Sequence, residues 1–211
     1  SRIGLRFPLY PVFVAPMLFH LIRGLRTRNR NDFLLAGLFL GLGLHGYSPF
    51  RIVPFLVIVA FVIYVLHVRS KDSAVQSLWW FILLVMVSLI VFLPLLRYWM
   101  SNPDIFGYRA MTRLTSAESV LPAPAWQVFL SNLYKALLMF NWDNGSIWVH
   151  SIPGRPALDV VTGALFVIGI LLLVVRYVRQ RDWRDLLLLV SITILLMPSV
   201  LSLISEDRRV W

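Results

Sequence analysis

The stretch LWWFILLVMVSLIVFLPLL, residues 78–96, decides the fold class of this chain. It runs for 19 residues without a charged side chain, and a helix needs about 20 apolar residues to cross the hydrocarbon core of a membrane. Trp79 and Trp80 stand near one end, where tryptophan side chains commonly lie at the boundary of a bilayer. The stretch therefore predicts a transmembrane helix.

Five further apolar runs lie on either side of this stretch. Together they predict six transmembrane helices, at about 7–22, 33–47, 52–68, 78–96, 160–175 and 186–204. Four of these fall within residues 1–96 and two within residues 158–211. The polar segment between them, 97–157, contains an amphipathic run at about 124–141 that we expect to lie flat on the membrane surface. The sequence thus predicts an all-α membrane protein.

The composition favours a membrane protein and argues against other classes. Of the 211 residues 14% are charged, against about 25% in an average soluble domain, and 59% are hydrophobic. The net charge of +10 could suit nucleic acid, but the basic residues form short clusters between apolar runs, which is typical of membrane orientation signals. Nucleic acid is therefore not an expected partner. The chain has no cysteine, which excludes disulfides and thiolate chemistry within it.

The basic clusters also predict the orientation of the spans. Six spans place the connections 23–30, 69–71 and 176–184 on one side of the bilayer, and these hold ten of the twenty lysine and arginine residues. Loops on the cytoplasmic side are enriched in these residues. We therefore expect this side to be cytoplasmic, and the loop 97–157 to face outward from the cytoplasmic membrane.

Two local patterns predict how helices pack and begin. Gly37 and Gly41 are four residues apart on the second span, so they form a small-residue face that lets another helix backbone come close. The alternative is that they are ordinary membrane glycines without a packing role. Asp159 directly precedes the fifth span and is expected to cap it.

The candidate binding residues lie at the predicted outward boundary of the membrane. Arginine offers a planar fork of donors to phosphate oxygens, and a tyrosine hydroxyl adds another donor, so a cationic group at this depth suits a lipid-linked phosphate. The predicted phosphate-binding residues are Arg51, Arg2, Arg6, Tyr47 and His45. Arg51 stands at the tip of a helical hairpin. The alternative for each arginine is contact with ordinary lipid headgroups, which we favour for Arg97.

The residues themselves identify neither a catalytic base nor a metal site. The four histidines show no i, i+4 pair of the kind that binds zinc. The outward acidic residues are well separated and contain no Asp-x-Asp motif: Asp104, Glu118, Asp143 and Asp159. No cofactor is therefore assigned, and nothing in the residues supports a divalent ion.

Several motifs follow one another along nearly the whole chain, namely Ser1–Arg6, Gly37–Arg51, Asn132–Asn141, Pro153–Asp159, Gly163–Phe166 and Leu195–Ser202. In order and spacing they resemble the bacterial family 39 glycosyltransferases. These are multi-pass enzymes of the GT-C fold, related to the protein mannosyltransferases and the lipid A aminoarabinose transferase. Arg51 matches an arginine that recurs after a Tyr-Thr or Tyr-Ser pair in that family, whereas His45 stands where a tyrosine is more usual.

The resemblance implies an inverting transfer of a sugar from a polyprenyl-phosphate donor to a protein, lipid or glycan acceptor at the outer face of the cytoplasmic membrane. It also implies that the catalytic carboxylate, usually an Asp-Glu pair, precedes the position equivalent to Ser1. We therefore interpret the chain as an internal fragment that is inactive alone. The sugar and the acceptor stay open.

Two other classes of function also stay open. A secondary transporter would have similar proline-interrupted helices and an internal cationic site, but such proteins are usually built from repeats, and the two halves of this sequence show no convincing similarity. A non-catalytic membrane scaffold is the other alternative. Of these three classes, only a glycosyltransferase requires an outward acidic pair upstream.

Overall fold

The computed structural model of the chain describes residues 9–46, 48–68, 71–102, 124–143 and 154–201. In these residues the backbone forms α-helices and one 3₁₀ helix, without a strand. The α-helices are α1 (Leu9–Thr27), α2 (Arg30–Leu44), α3 (Val53–His67), α4 (Lys71–Ser101), α5 (Ala125–Leu138), α6 (Val160–Gln180) and α7 (Trp183–Val200), and the 3₁₀ helix covers Ser48–Ile52. The expected all-α class is confirmed for this part of the chain.

Among the described residues, four helical segments are long and apolar enough to cross a membrane: Ser48–His67, Ala74–Ser101, Val160–Gln180 and Trp183–Val200. They correspond to the last four predicted spans. At 1.5 Å per residue, α6 is about 31 Å long, close to the roughly 30 Å thickness of the hydrocarbon core. Large apolar side chains on these helices are exposed, among them Ile90 at 65% and Leu172 at 63%. Lipid is the environment that suits such surfaces.

The first two predicted spans form helices but are not among these four. The helix α2 has 15 residues and is about 22 Å long, which is short for a membrane crossing. The helix α1 extends to Thr27 and so includes Arg23 and Arg26, which the sequence had placed in a loop. These arginines lower its mean hydropathy. A helix can continue past an apolar run because arginine has a high helix propensity.

The chain divides into two compact units, of which the first comprises Ser1–Ser101 with Tyr177–Ile194. In this unit α2 packs against both α1 and α4. A Cβ atom at Gly37 would lie 2.5 Å from the carbonyl oxygen of Leu84, and one at Gly41 would lie 2.9 Å from that of Ser88. The predicted small-residue face is thus confirmed, and its partner is the backbone of α4.

The second unit comprises Asn102–Arg176 with Leu195–Trp211, and α5 packs within it along one face. That face buries Val128, Asn132 and Ala136, which are spaced by four residues as one side of a helix requires. The Nδ2 of Asn132 donates to the carbonyl oxygen of Val200 at 3.3 Å, which satisfies a group at the end of α7. Apolar side chains remain exposed elsewhere on α5: Trp126, Leu130, Tyr134 and Leu137.

The start of α6 is fixed by a side-chain cap. The Oδ1 of Asp159 accepts hydrogen bonds from the backbone N–H groups of Val161 and Thr162, both at 3.0 Å. These are two of the donors that lack a partner within the first turn of a helix. The predicted capping role of Asp159 is therefore confirmed.

Candidate functional site

The two described members of the predicted phosphate-binding group lie at one end of the first unit. Arg51 belongs to the 3₁₀ helix, and His45 is the C-terminal cap of α2. The start of α1 reaches the same end, where the ring of Tyr10 contacts that of Phe50. The other predicted members, Arg2, Arg6 and Tyr47, lie outside the described residues.

The turn that carries Arg51 is held by the aromatic ring next to it in sequence. Phe50 is buried and packs onto Gly43 of α2, where a Cβ atom would overlap the Phe50 ring. The ring of Tyr10 meets Phe50 edge-on, with centroids 6.0 Å apart. Since Phe50 is anchored on two helices, the backbone of Arg51 is fixed at this end of the unit, with its side chain partly buried.

His45 has a packing role that the sequence did not reveal. Its Nε2 lies 2.8 Å from the carbonyl oxygen of Val91 on α4, and because a carbonyl only accepts, Nε2 carries the proton and donates. This carbonyl lies three residues before Pro94, in the turn where a proline disturbs the hydrogen bonds of a helix. His45 thus ties the end of α2 to the disturbed turn of α4.

The opposite end of the α1–α2 pair holds a polar cluster around the buried Asp32, which the sequence did not reveal. The carboxylate of Asp32 is 5% exposed, and its Oδ1 accepts from Nδ1 of His20 at 2.9 Å. The Nε of Arg23 lies 3.5 Å from Oδ2, which makes an ion pair but not a hydrogen bond of good geometry. His20 and Arg23 on α1 thus offset part of the free-energy cost of burying the Asp32 carboxylate. The cluster therefore joins α1 to α2.

The connections α1–α2 and α6–α7 are built in the same way. Each has two residues, an arginine in the left-handed conformation and then a cap: Arg28 with φ 55° before Asn29, and Arg181 with φ 53° before Asp182. The caps accept from the N–H groups of Asn31 and Arg184, both at 3.0 Å.

A buried aspartate follows each cap by three residues, namely Asp32 and Asp185. The repeated spacing Arg-Asn/Asp-x-x-Asp was the signal in the sequence that could have identified Asp32. It extends over five residues and is explained by helix capping.

Near the C-terminal end of α1, an open cavity of about 410 Å³ is lined by residues from three chain segments. Arg26 comes from the last turn of α1, His67 ends α3, and residues 180–184 form the α6–α7 connection. These segments belong to, or directly precede, the three connections that the sequence predicts on one side of the membrane. The structure therefore brings cationic side chains of two of these connections together within the first unit, Arg26 from one and Arg181 with Arg184 from the other, next to the end of α3.

The described part of the chain contains no group of three or more histidine or acidic side chains placed to hold a metal ion. Comparison of the chain with protein-family models, curated proteins and solved structures gave no match.

Proposed function

We propose that the chain is the membrane-embedded part of a glycosyltransferase that takes its sugar from a polyprenyl-phosphate donor. The acceptor is a protein, a lipid or a glycan at the outer face of the cytoplasmic membrane. The observation that carries the proposal is the position of Arg51, a partly buried arginine on a rigid turn directly before an apolar helix. Charged side chains within a membrane span are costly and commonly functional, and Arg51 falls within the candidate span Ser48–His67.

In this proposal α1 and α2 also cross the membrane, which gives six spans with α5 lying on the outer surface. Two features support this topology. Residues of two basic connections meet the end of α3, directly before the third, at one cavity, as they would on one side of a bilayer. The exposed side chains of α5 include Trp126 at 62% and Leu130 at 52%, which suit an interfacial helix.

The proposed chemistry requires charge stabilisation at the carrier phosphate. The acceptor hydroxyl attacks the anomeric carbon, the bond from that carbon to the phosphate oxygen breaks, and polyprenyl phosphate leaves with the electron pair. A guanidinium beside that oxygen stabilises the developing negative charge, which is the role we assign to Arg51, with Arg2 and Arg6 as further donors. The acceptor proton passes to a carboxylate that the family resemblance implies upstream of these residues.

The proposal is tested by measuring donor binding and transfer. With the chain in lipid nanodiscs we expect Arg51→Ala to weaken binding of polyprenyl phosphate about tenfold, since one charge-assisted contact is lost. Arg51→Lys keeps the charge but loses the planar fork, so an intermediate effect is expected. In the full-length enzyme the Arg51→Ala variant should lose turnover by a similar factor.

The matched control is Arg179→Ala, which removes an exposed arginine from α6 far along the chain from the proposed site. It should bind polyprenyl phosphate like the parent. Thermal unfolding of each variant identifies any loss that is due to misfolding. Unchanged donor affinity in a folded Arg51→Ala variant would remove Arg51 from the site and leave the proposal without its main support.

A further inference from the structure

We propose that the open cavity at the end of α1, α3 and α6 binds the phosphate group of an anionic phospholipid. This site is separate from the proposed sugar-donor site, and the inference does not depend on it. The cavity measures about 410 Å³ and presents three arginines: Arg26, Arg181 and Arg184.

The charges in the cavity do not cancel. Arg184 is neutralised by Asp182, since its Nε donates to both carboxylate oxygens at 3.0 Å and its Nη2 donates to Oδ2. Arg26 and Arg181 form no ion pair with any described residue. The residues that line the cavity include three arginines and one aspartate, so an anion in the cavity would be stabilised.

The walls are held in place before any ligand binds. Arg181 has a fixed left-handed backbone, and its N–H donates to the carbonyl oxygen of Tyr177 at 2.8 Å. The Trp183 ring packs edge-on against buried Tyr64, with centroids 5.3 Å apart. A preorganised site spends less of its binding free energy on ordering side chains.

His67 forms a wall of the cavity, and both of its ring nitrogens face protein groups. Its Nδ1 donates to the carbonyl oxygen of Ile63 at 2.7 Å, and its Nε2 lies 3.3 Å from the hydroxyl of Tyr177. Both ring nitrogens are therefore occupied, which leaves the two arginines as the principal ligands.

Phosphate is the anion that this site fits best. Guanidinium groups bind phosphate oxygens through paired hydrogen bonds, and a cavity of a few hundred Å³ accommodates a phosphate with part of a headgroup. The cavity also lies where candidate membrane spans end at His67 and Gln180 and begin at Trp183. Lipid headgroups occupy this level, and basic pockets between membrane helices bind anionic lipids. A phospholipid is thus the source of phosphate that the location favours over the free ion.

The test is to count lipids bound to the purified chain by native mass spectrometry during titration with phosphatidylglycerol or phosphatidylcholine. We expect the parent to prefer phosphatidylglycerol. The double variant Arg26→Gln/Arg181→Gln should lose about tenfold or more in affinity for phosphatidylglycerol, because two charge-assisted contacts are removed. Binding of phosphatidylcholine should not change.

The double variant Arg30→Gln/Arg179→Gln is the matched control, since it removes two exposed arginines near the same connections but outside the cavity. It should retain phosphatidylglycerol binding. A second variant, Arg181→Gly, separates binding from folding. Glycine suits the left-handed conformation at residue 181, so thermal stability should be kept or raised while lipid affinity falls.

Three results would overturn the proposal. Equal losses in both double variants would show that only overall charge matters. Full binding by a folded Arg181→Gly variant together with full binding by Arg26→Gln/Arg181→Gln would exclude the cavity. Displacement of the lipid by inorganic phosphate at about millimolar concentration would assign the site to the free ion.

Discussion

Single side chains at helix ends control much of the local structure. At the start of α6, Asp159 accepts from two backbone N–H groups, and its Oδ2 accepts from the hydroxyl of Thr162. These hydrogen bonds lower the pKa of the Asp159 carboxyl from its usual 3.8. The bond from the Thr162 hydroxyl has the largest effect, and the bond from the Thr162 backbone N–H adds to it. The ionised carboxylate therefore stabilises the folded helix start.

The first turn of α6 should consequently depend on pH. Because the folded pKa of Asp159 is lowered, the contribution of this cap is complete above the usual carboxyl pKa and is lost as the pH falls through the lower folded value. NMR amide shifts of Val161 and Thr162 should report this loss. In Asp159→Asn the cap is kept without a titrating group, so pH-independent shifts are expected there. Identical pH profiles in the two proteins would contradict this assignment.

At the scale of helices, close approach of backbones organises the first unit. Gly37 and Gly41 allow α2 to lie against the carbonyl groups of Leu84 and Ser88 on α4. His45 extends the same interface through its hydrogen bond to Val91. The interface thus combines small residues with one polar contact, which is typical of packing between membrane helices.

Two glycine-to-alanine substitutions should have opposite effects on stability. Gly37→Ala forces the backbone of α4 to move, because the new Cβ would lie 2.5 Å from the carbonyl oxygen of Leu84, and we expect a loss of about 1–3 kcal/mol. At Gly169 in α6 a Cβ meets nothing within 4 Å. Gly169→Ala should therefore gain up to about 1 kcal/mol from helix propensity.

Thermal unfolding in one detergent compares the two alanine variants directly. A lowered midpoint for Gly37→Ala beside an unchanged or raised midpoint for Gly169→Ala is the expected result. If both variants gain stability alike, the contact between α2 and α4 is looser than the structure describes.

At the scale of the whole molecule, the distribution of charge predicts the topology in the membrane. The chain has no cysteine, so single cysteines can be introduced without a background. We expect Arg30→Cys to react with an impermeant maleimide only after the cells are permeabilised. Trp142→Cys, at a side chain that is 74% exposed, should react in intact cells. Protection of Trp142→Cys in intact cells would show that the orientation is the reverse of the predicted one, and it would exclude the proposed outward donor site.

The positions of the helices were more predictable than their ends. Apolar runs identified α3, α4, α6 and α7 because a membrane span must be apolar along its whole length. The helix α4 nevertheless begins at Lys71 and ends at Ser101, well beyond the apolar stretch 78–96. Backbone hydrogen bonds continue through polar residues, so hydropathy alone does not mark where a helix stops.

Features set by neighbouring residues were predictable from the sequence, whereas contacts between distant residues were not. The amino-acid sequence by itself determined the all-helical class, the apolar spans and the capping role of Asp159, since these depend on residues close together in the chain. Only the tertiary structure decided that His45 contacts Val91, that Asp32 contacts His20, and that Arg26 shares a cavity with Arg181. Such contacts join residues far apart in sequence, and their positions are set by how the helices pack, which local hydropathy and charge do not specify.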